Sequence, residues 1–169
     1  MKPKRILVRF LAVGLVMATG PAISDDHALY STQNLTPEIA LKAASAALEK
    51  CRTEGFQVAV VVTDRSGLPQ VMIRDRYAGA HTPETARRKA WTATSFRTNT
   101  TDLVAVTAAG EAQSGVRQVE GALMIGGGML IDAGGSTVGA IGVSGAPAGE
   151  LDDLCAQAGI EAIEEDILF

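Results

Sequence analysis

The stretch QVAVVVT, residues 57–63, decides the fold, because it is a β-branched apolar run without a polar face. Such a run is typical of a central strand that is covered on both sides of its sheet. The turn residues Asp64-Arg65-Ser66-Gly67 follow, and residues 68–74 have the pattern of a second strand. The sequence therefore predicts an antiparallel hairpin as the starting point of the sheet.

A helix start signal occurs twice in the chain. Thr36-Pro37-Glu38 combines an N-cap residue, a proline at the first helical position and an acid in the first turn, and Thr82-Pro83-Glu84 repeats that pattern. Small and apolar residues at helical spacing follow each signal. We expect helices at about 37–54 and 83–96.

The remaining elements are separated by glycine-rich turns. They are a short helix at about 98–110, an irregular connection at 111–120, strands at 121–125, 129–132 and 138–144, and a last helix at about 148–165. The order α-β-β-α-α-β-β-β-α, with hairpins instead of crossovers, predicts an α+β domain. Its single antiparallel sheet of five strands should carry helices on its faces.

The N-terminal region differs from the rest of the chain. Residues 1–24 contain a basic start, an apolar run shorter than a membrane span, and small residues at Ala22 and Ser24. This pattern predicts a signal peptide cleaved after Ser24, with a retained membrane anchor as the alternative. Residues 25–34 should form a flexible arm and 35–169 a single domain, which fits a chain of 169 residues. The expected location is periplasmic or secreted, without membrane insertion after cleavage.

The charge of the chain excludes several kinds of partner. Removal of the expected leader takes away four cations and no acid, so the formal net charge changes from −4 to −8. An acidic domain with 4% aromatic residues and no long basic run is a poor match for nucleic acid or for a membrane surface.

Three motifs have ordinary structural interpretations. A strand, not a helix, follows Gly126-Gly127-Gly128, which favours a turn over a phosphate-binding loop. Ser144 lacks the G-x-S-x-G spacing of a nucleophile elbow and has no evident histidine base. Asp152 and Asp153 suit the positive end of the last helix, where solvated charge is expected.

The chain has two cysteines, Cys51 and Cys155, on the core-facing sides of the first and last predicted helices. There is no C-x-x-C pair or Cys/His cluster, which argues against a structural zinc site. Two buried free thiols are the preferred interpretation. A disulfide is the alternative if those helices lie side by side, and an oxidising compartment would permit it.

His81 stands one residue before the N-cap of the second predicted helix. The positive end of a helix dipole disfavours a cationic imidazole, so the neutral, metal-binding form is expected there. Arg87, Arg88 and Lys89 follow and could pair with carboxylates of an anion. The flexible lead-in Tyr77-Ala78-Gly79-Ala80 would give the imidazole access to a bulky ligand. From these residues alone, an idle surface histidine is still favoured over a ligand.

Three blocks of sequence resemble the GlcG/HbpS family of haem-binding proteins. They are KAWTATSF at 89–96, GGGMLI at 126–131 and VGAIGVSG at 138–145, and the resemblance extends over about 35–163. It implies a profilin-like fold, with the terminal helices on one face of a five-stranded sheet and the middle helices on the other. That arrangement would also bring the two cysteine-bearing helices together.

The resemblance further implies haem as a cofactor, which needs an axial ligand, an apolar surface and cations for its propionates. Within the matching region the roles would be taken by six residues. These are His81 as the iron ligand, Tyr77, Trp91 and Met72 as apolar surface, and Arg87 or Arg88 as propionate partners. The site should lie at the surface or at a subunit interface. His27, Met124 and Met129 are weaker ligand candidates, and both methionines are expected in the core.

These implications rank three functions. The first is an exported haem-binding protein in haem storage, protection or redox sensing, as a homo-oligomer with a possible sensor protein as partner. The second is an enzyme of peroxide-linked haem degradation. The third is a sensory or accessory subunit that binds a corrinoid or a small organic acid.

Overall fold

A computed structural model describes residues 29–168. The chain divides into two units, residues 1–31 and 32–169, and the fold below is that of the second unit. The expected signal peptide and His27 lie outside the described residues. None of the helices in the described part of the chain has the length and apolar character that a membrane crossing requires.

Within residues 32–168, four helices and four strands form the fold. They are α1 (Pro37–Thr53), β1 (Ala59–Asp64), β2 (Pro69–Arg74), α2 (Thr82–Phe96), α3 (Thr100–Val106), β3 (Gly128–Ala133), β4 (Ser136–Ser144) and α4 (Gly149–Glu161), with short 3-10 segments at Ser114–Gln118 and Glu164–Asp166. The two helices predicted from the repeated start signal are confirmed, each with its proline in the first turn.

The strands form one antiparallel sheet in the order β2-β1-β4-β3. The predicted hairpin is therefore present, and β1 lies between two neighbours, as its continuous apolar run indicated. Val61 of β1, for example, lies opposite Met72 of β2 and Gly142 of β4. β2 and β3 are the edges of the sheet.

Both faces of the sheet are covered by helices. Val60 and Val62 of β1 point into the main core with α1 and α4, whereas Val61 packs with Ala86 of α2 on the opposite face. The terminal helices thus share one face and α2 covers the other, as the family resemblance implied. The profilin-like label itself stays a prediction.

The glycines of β4 and β3 allow α2 to lie directly on the sheet. A Cβ atom at Gly142 would overlap the carbonyl oxygen of Ala86, and one at Gly128 would lie 2.5 Å from the carbonyl oxygen of Lys89. Backbone atoms cannot give way as a flexible side chain can, so these positions need glycine for close approach. This explains much of the glycine pattern in the two sequence blocks.

α1 and α4 are joined by a disulfide between Cys51 and Cys155, whose Cα atoms are 5.4 Å apart. Both residues are fully buried in the main core. The preference for two free thiols was therefore wrong, because the helices lie side by side in the arrangement that the disulfide alternative required.

The prediction of a fifth strand at 121–125 was also wrong. The backbone of this segment is bound by α2, since the Arg88 guanidinium donates to the carbonyls of Gly121 and Ala122 and the Leu123 amide donates to Thr92 Oγ1. Such a strand would have paired with edge strand β3, but two amides of β3 already donate hydrogen bonds to side chains at the start of α3. There Asn99 Oδ1 and Thr100 Oγ1 accept from the amides of Leu130 and Gly128.

Two helices are shorter than predicted. The helix expected at 98–110 is only Thr100–Val106, with Thr107 as its C-cap, and turns and a 3-10 segment follow, with Gly110 in one of these turns at a positive φ of 90°. The helix expected at 148–165 ends at Glu161, and its tail continues as the 3-10 segment Glu164–Asp166.

Candidate functional site

A cleft of ≈ 680 Å³ opens where the N-termini of α2 and α4 meet. One wall is the first two turns of α2, and the opposite wall is the loop from Ser144 to Gly149 that leads into α4. The turn after α1 and the segment at 121–125 complete it. The segment predicted as a fifth strand therefore forms part of the cleft.

Three of the predicted site residues, Tyr77, His81 and Arg88, line this cleft together. His81 is the N-cap residue of α2, and its side chain makes no capping hydrogen bond. In the described part of the chain its imidazole has no hydrogen-bond partner, so the ring nitrogen that carries no hydrogen in the neutral form is available to bind a metal. The ring edge lies against Gly79, where an added Cβ would be 2.8 Å from His81 Cε1.

The loop that carries Tyr77 is held by a buried carboxylate. Asp75 accepts from Arg52 Nε at 2.8 Å and Nη2 at 3.1 Å, and from the Arg76 amide at 2.9 Å. The hydrogen bonds from Arg52 lower the pKa of the Asp75 carboxyl, against the effect of its burial. This fork ties the loop to α1 and places the exposed Tyr77 ring beside His81 at the mouth of the cleft.

Arg88 supplies positive charge to the cleft. Its Nε and Nη2 donate to the carbonyls of Gly121 and Ala122 at 3.2 and 2.6 Å. No carboxylate of residues 29–168 forms a salt bridge with it. The guanidinium is thus positioned by neutral acceptors and keeps its charge for an anion.

Three other predicted residues do not line the cleft. Arg87 forms a two-point ion pair with Glu84, at 2.8 and 2.7 Å, which lowers the pKa of the Glu84 carboxyl. The ring of Trp91 packs against Gly67 and Gly121, and Met72 lies exposed on edge strand β2.

A buried ion pair lies at the inner end of the cleft. Lys89 Nζ donates to Asp152 Oδ2 at 2.7 Å and to the Val143 carbonyl at 2.9 Å, and both charged side chains are nearly inaccessible. The other Asp152 oxygen accepts from the Ala146 amide at 3.0 Å. Burial raises the pKa of the Asp152 carboxyl, and the Lys89 ammonium opposes that rise.

The expectation of solvated charge at Asp152 was therefore wrong. Asp153 instead serves as an acceptor for Thr101 Oγ1 and for the Gly127 amide. Lys89 lies at helical spacing from Ala86 and Ala93, on the apolar stripe of α2, and this position was the sequence signal that could have revealed the buried pair.

The rest of the cleft lining is mixed. Phe56, Leu123, Ile125 and Pro147 contribute apolar side chains, and polar side chains come from Gln57, Thr82, Thr85 and Ser144. Apolar side chains, one unpartnered imidazole and one guanidinium around a cleft of this volume suit a mostly apolar ligand that carries anionic groups.

Comparisons with known proteins agree with this geometry. A family model described as "Haem degrading protein HbpS-like" matches residues 35–161. A crystal structure of a double mutant of Streptomyces reticuli HbpS superposes with a TM-score of 0.75 and 36% identity, over 90% of this chain and 99% of that chain.

Two further crystal structures are similar. A complex of PduOC with haem matches with a TM-score of 0.72 and 29% identity, over 78% of this chain and 96% of that one. Klebsiella pneumoniae protein ORFY matches with a TM-score of 0.77 and 26% identity, over 80% of this chain and 94% of that one. No curated protein matches the chain.

Proposed function

Because the chain belongs to the HbpS-like family of haem-degrading proteins, we propose that its cleft binds haem and that the protein acts in haem storage, protection or redox sensing. The convergence of Tyr77, His81 and Arg88 on one cleft carries this proposal. The solved PduOC relative was crystallised as a haem complex, which agrees with it.

The cleft fits the chemical requirements of haem. Its volume lies within the range of small-molecule and cofactor sites, about 300–1,000 Å³. His81 would hold the iron through its unpartnered imidazole, and the side chains of Phe56, Leu123 and Ile125 would contact the macrocycle. Arg88 would hold one propionate. When bound, haem would supply the iron chemistry, and these residues would orient it.

The other predicted residues take supporting roles in this proposal. Trp91 stabilises the segment at 121–125 through its contact with Gly121, and so supports the cleft wall indirectly. Arg87 would reach a propionate only after leaving Glu84. A site that opens at the surface should exchange its ligand readily.

We further propose that the protein is exported to the periplasm or the medium and acts as a homo-oligomer with a sensor protein as partner. The buried disulfide supports export, because disulfides persist in oxidising compartments and are rare in reducing ones. Residues 1–24 have the pattern of a cleaved leader.

Hemin titration followed at the Soret band tests the proposed function. We expect a Soret shift with the wild-type protein and a loss of affinity of about tenfold or more in His81→Ala. The matched control is His27→Ala, which removes the other histidine and should bind hemin like the wild type. Free imidazole should restore the wild-type spectrum in His81→Ala. An unshifted wild-type spectrum refutes haem binding, and a wild-type response from His81→Ala refutes the ligand assignment alone.

A second candidate function is peroxide-linked haem degradation, which the description of the family model favours. Haem would then be both cofactor and substrate. Addition of hydrogen peroxide to the hemin complex separates the two candidates. Bleaching faster than that of free hemin supports an enzyme, and bleaching at the same rate or slower supports a binding protein.

A further inference from the structure

The inner end of the cleft contains a hydroxyl without a partner. Ser144 ends β4, lines the cleft and is only 5% exposed. Its Oγ makes no hydrogen bond within residues 29–168. Because Ser144 lines the cleft, a ligand or water in the cleft can meet the hydrogen-bonding capacity of this hydroxyl.

A buried side-chain oxygen without a partner belongs to a nearby residue. Gln57 also lines the cleft, and its Oε1 is buried without a partner. A Cβ atom added to Gly145 would lie 2.5 Å from the backbone carbonyl oxygen of Gln57. Gln57 therefore lies beside the residue that follows Ser144. A side-chain amide can present either its oxygen or its N–H groups, so Gln57 can adapt to a donor or an acceptor.

The start of α4 adds backbone donors to the same place. Ala148 and Gly149 line the cleft, and the Ala148 side chain does not cap the helix. The first N–H groups of a helix have no intrahelical acceptor, and the dipole of a helix is positive at that end. Both features favour an anion.

The charges that face this end do not oppose an anion. The Asp152 carboxylate has both oxygens engaged, one by Lys89 Nζ and the other by the Ala146 amide. Lys89 balances its charge, and Arg88 and His81 lie farther out along the same cleft. The inner end therefore has unused hydrogen-bond donors, and the neighbouring Asp153 carboxylate accepts from Thr101 Oγ1 and the Gly127 amide outside the cleft lining.

We propose that Ser144, the Gly149 amide and Gln57 form a carboxylate-binding subsite at the inner end of the cleft. Ser144 Oγ–H and the Gly149 N–H donate to the carboxylate oxygens, and the Gln57 amide donates to the same group from the side. The carboxylate belongs either to a haem propionate, which rests on the proposed function, or to a free small carboxylic acid, which does not.

Two carboxylate probes test the subsite on the full chain. Sodium propionate, added without haem, should shift the backbone amide resonances of residues 144–149 in a ¹H–¹⁵N correlation spectrum. Hemin should bind at least about tenfold more tightly than hemin dimethyl ester in the same cosolvent, since a hydrogen bond to a charged group contributes about 1.5–3 kcal/mol.

Ser144→Ala should weaken propionate binding about tenfold and reduce the preference for hemin over its ester. Ser136→Ala is the matched control, because it removes an exposed serine at the opposite end of the same strand, outside the cleft. It should behave like the wild type.

The outcomes separate the subsite from the proposed function. If the wild type binds hemin and its ester equally and propionate shifts none of these amides, the subsite is refuted while haem binding stands. An equal response of Ser144→Ala and wild type to both probes also refutes it. If hemin gives no Soret shift but propionate binds in a Ser144-dependent way, haem binding fails and the subsite stands as a site for a free carboxylic acid. The propionate-induced shifts of residues 144–149 in wild-type protein keep the test decisive if Ser144→Ala does not fold, because Arg88 alone would also favour hemin over its ester.

Discussion

The disulfide between Cys51 and Cys155 should dominate the stability of this domain. It closes a loop with a sequence separation of 104 residues, and loop-closure entropy for a loop of that length amounts to about 4.7 kcal/mol at 25 °C. That is a large part of the 5–15 kcal/mol typical of a domain, by a rough general estimate. A domain of this size loses about 3–4 °C of melting temperature per kcal/mol of stability, so loss of the disulfide should lower the melting temperature by roughly 15 °C.

The test is thermal unfolding followed by circular dichroism, for the wild type and for Cys51→Ala/Cys155→Ala, each with and without a reductant. Wild-type protein that is reduced in denaturant and then refolded under reducing conditions should melt near the temperature of the double variant. The melting temperature of the double variant should not change with reductant. A thiol assay on unfolded, unreduced protein should detect no free thiol. Two free thiols per chain, or an equal melting temperature for the two proteins, would refute the reasoning.

Three further changes test the site and its supports. Lys89→Met should lower the free energy of unfolding by about 3–5 kcal/mol in chemical denaturation, because it leaves the Asp152 carboxylate buried and unpaired, and Lys89→Met/Asp152→Leu should recover much of that loss. Because the pKa of Asp75 is lowered in the folded state, its ionised form stabilises the fold above the unfolded pKa of about 4, and this contribution is lost as the pH falls through the folded pKa. The melting temperature of Asp75→Asn should therefore decrease less steeply with decreasing pH than that of the wild type. Parallel plots of melting temperature against pH would contradict this. Gly79→Ala should displace only the His81 ring, so it should weaken hemin binding several-fold with little change in melting temperature, and unchanged binding would argue against His81 as the ligand.

Much of the fold was predictable because it depends on local patterns. The run at 57–63 has the pattern of a covered strand, and the two T-P-E signals predicted the start of α1 and, to within one residue, that of α2, whose N-cap is His81 and not Thr82. The error at 121–125 has a different origin. Gly-Ala-Leu-Met-Ile has the composition of a strand, but Arg88 and Thr92 bind its backbone through contacts more than 30 residues away in sequence. The strand propensity of a segment does not include hydrogen bonds to residues that are distant in sequence.

The site was less predictable than the fold. His81, Tyr77 and Arg88 were identified from the sequence, and the structure brings them to one cleft. The buried Lys89–Asp152 pair was missed because its members are 63 residues apart and each alone resembles a surface charge. Ser144 was considered only as a nucleophile, since an unsatisfied hydroxyl cannot be recognised without its surroundings.

The block at 89–96, which carries part of the family resemblance, has a structural role distinct from ligand contact. Lys89 binds Asp152 and the end of β4, Trp91 packs on Gly121, and Thr92 and Thr94 bind the Leu123 amide and the Thr63 hydroxyl. These four residues of the block thus attach α2 to α4, β4, the segment at 121–125 and β1. The proposed iron ligand and propionate partner, His81 and Arg88, lie before the block, within 77–88. A relative that shares 89–96 should therefore share the cleft and its frame, while the choice of ligand depends on the preceding loop and the first turns of α2. Exchange of residues 77–81 between two relatives with different hemin affinities should transfer the affinity, whereas exchange of the block should change stability alone.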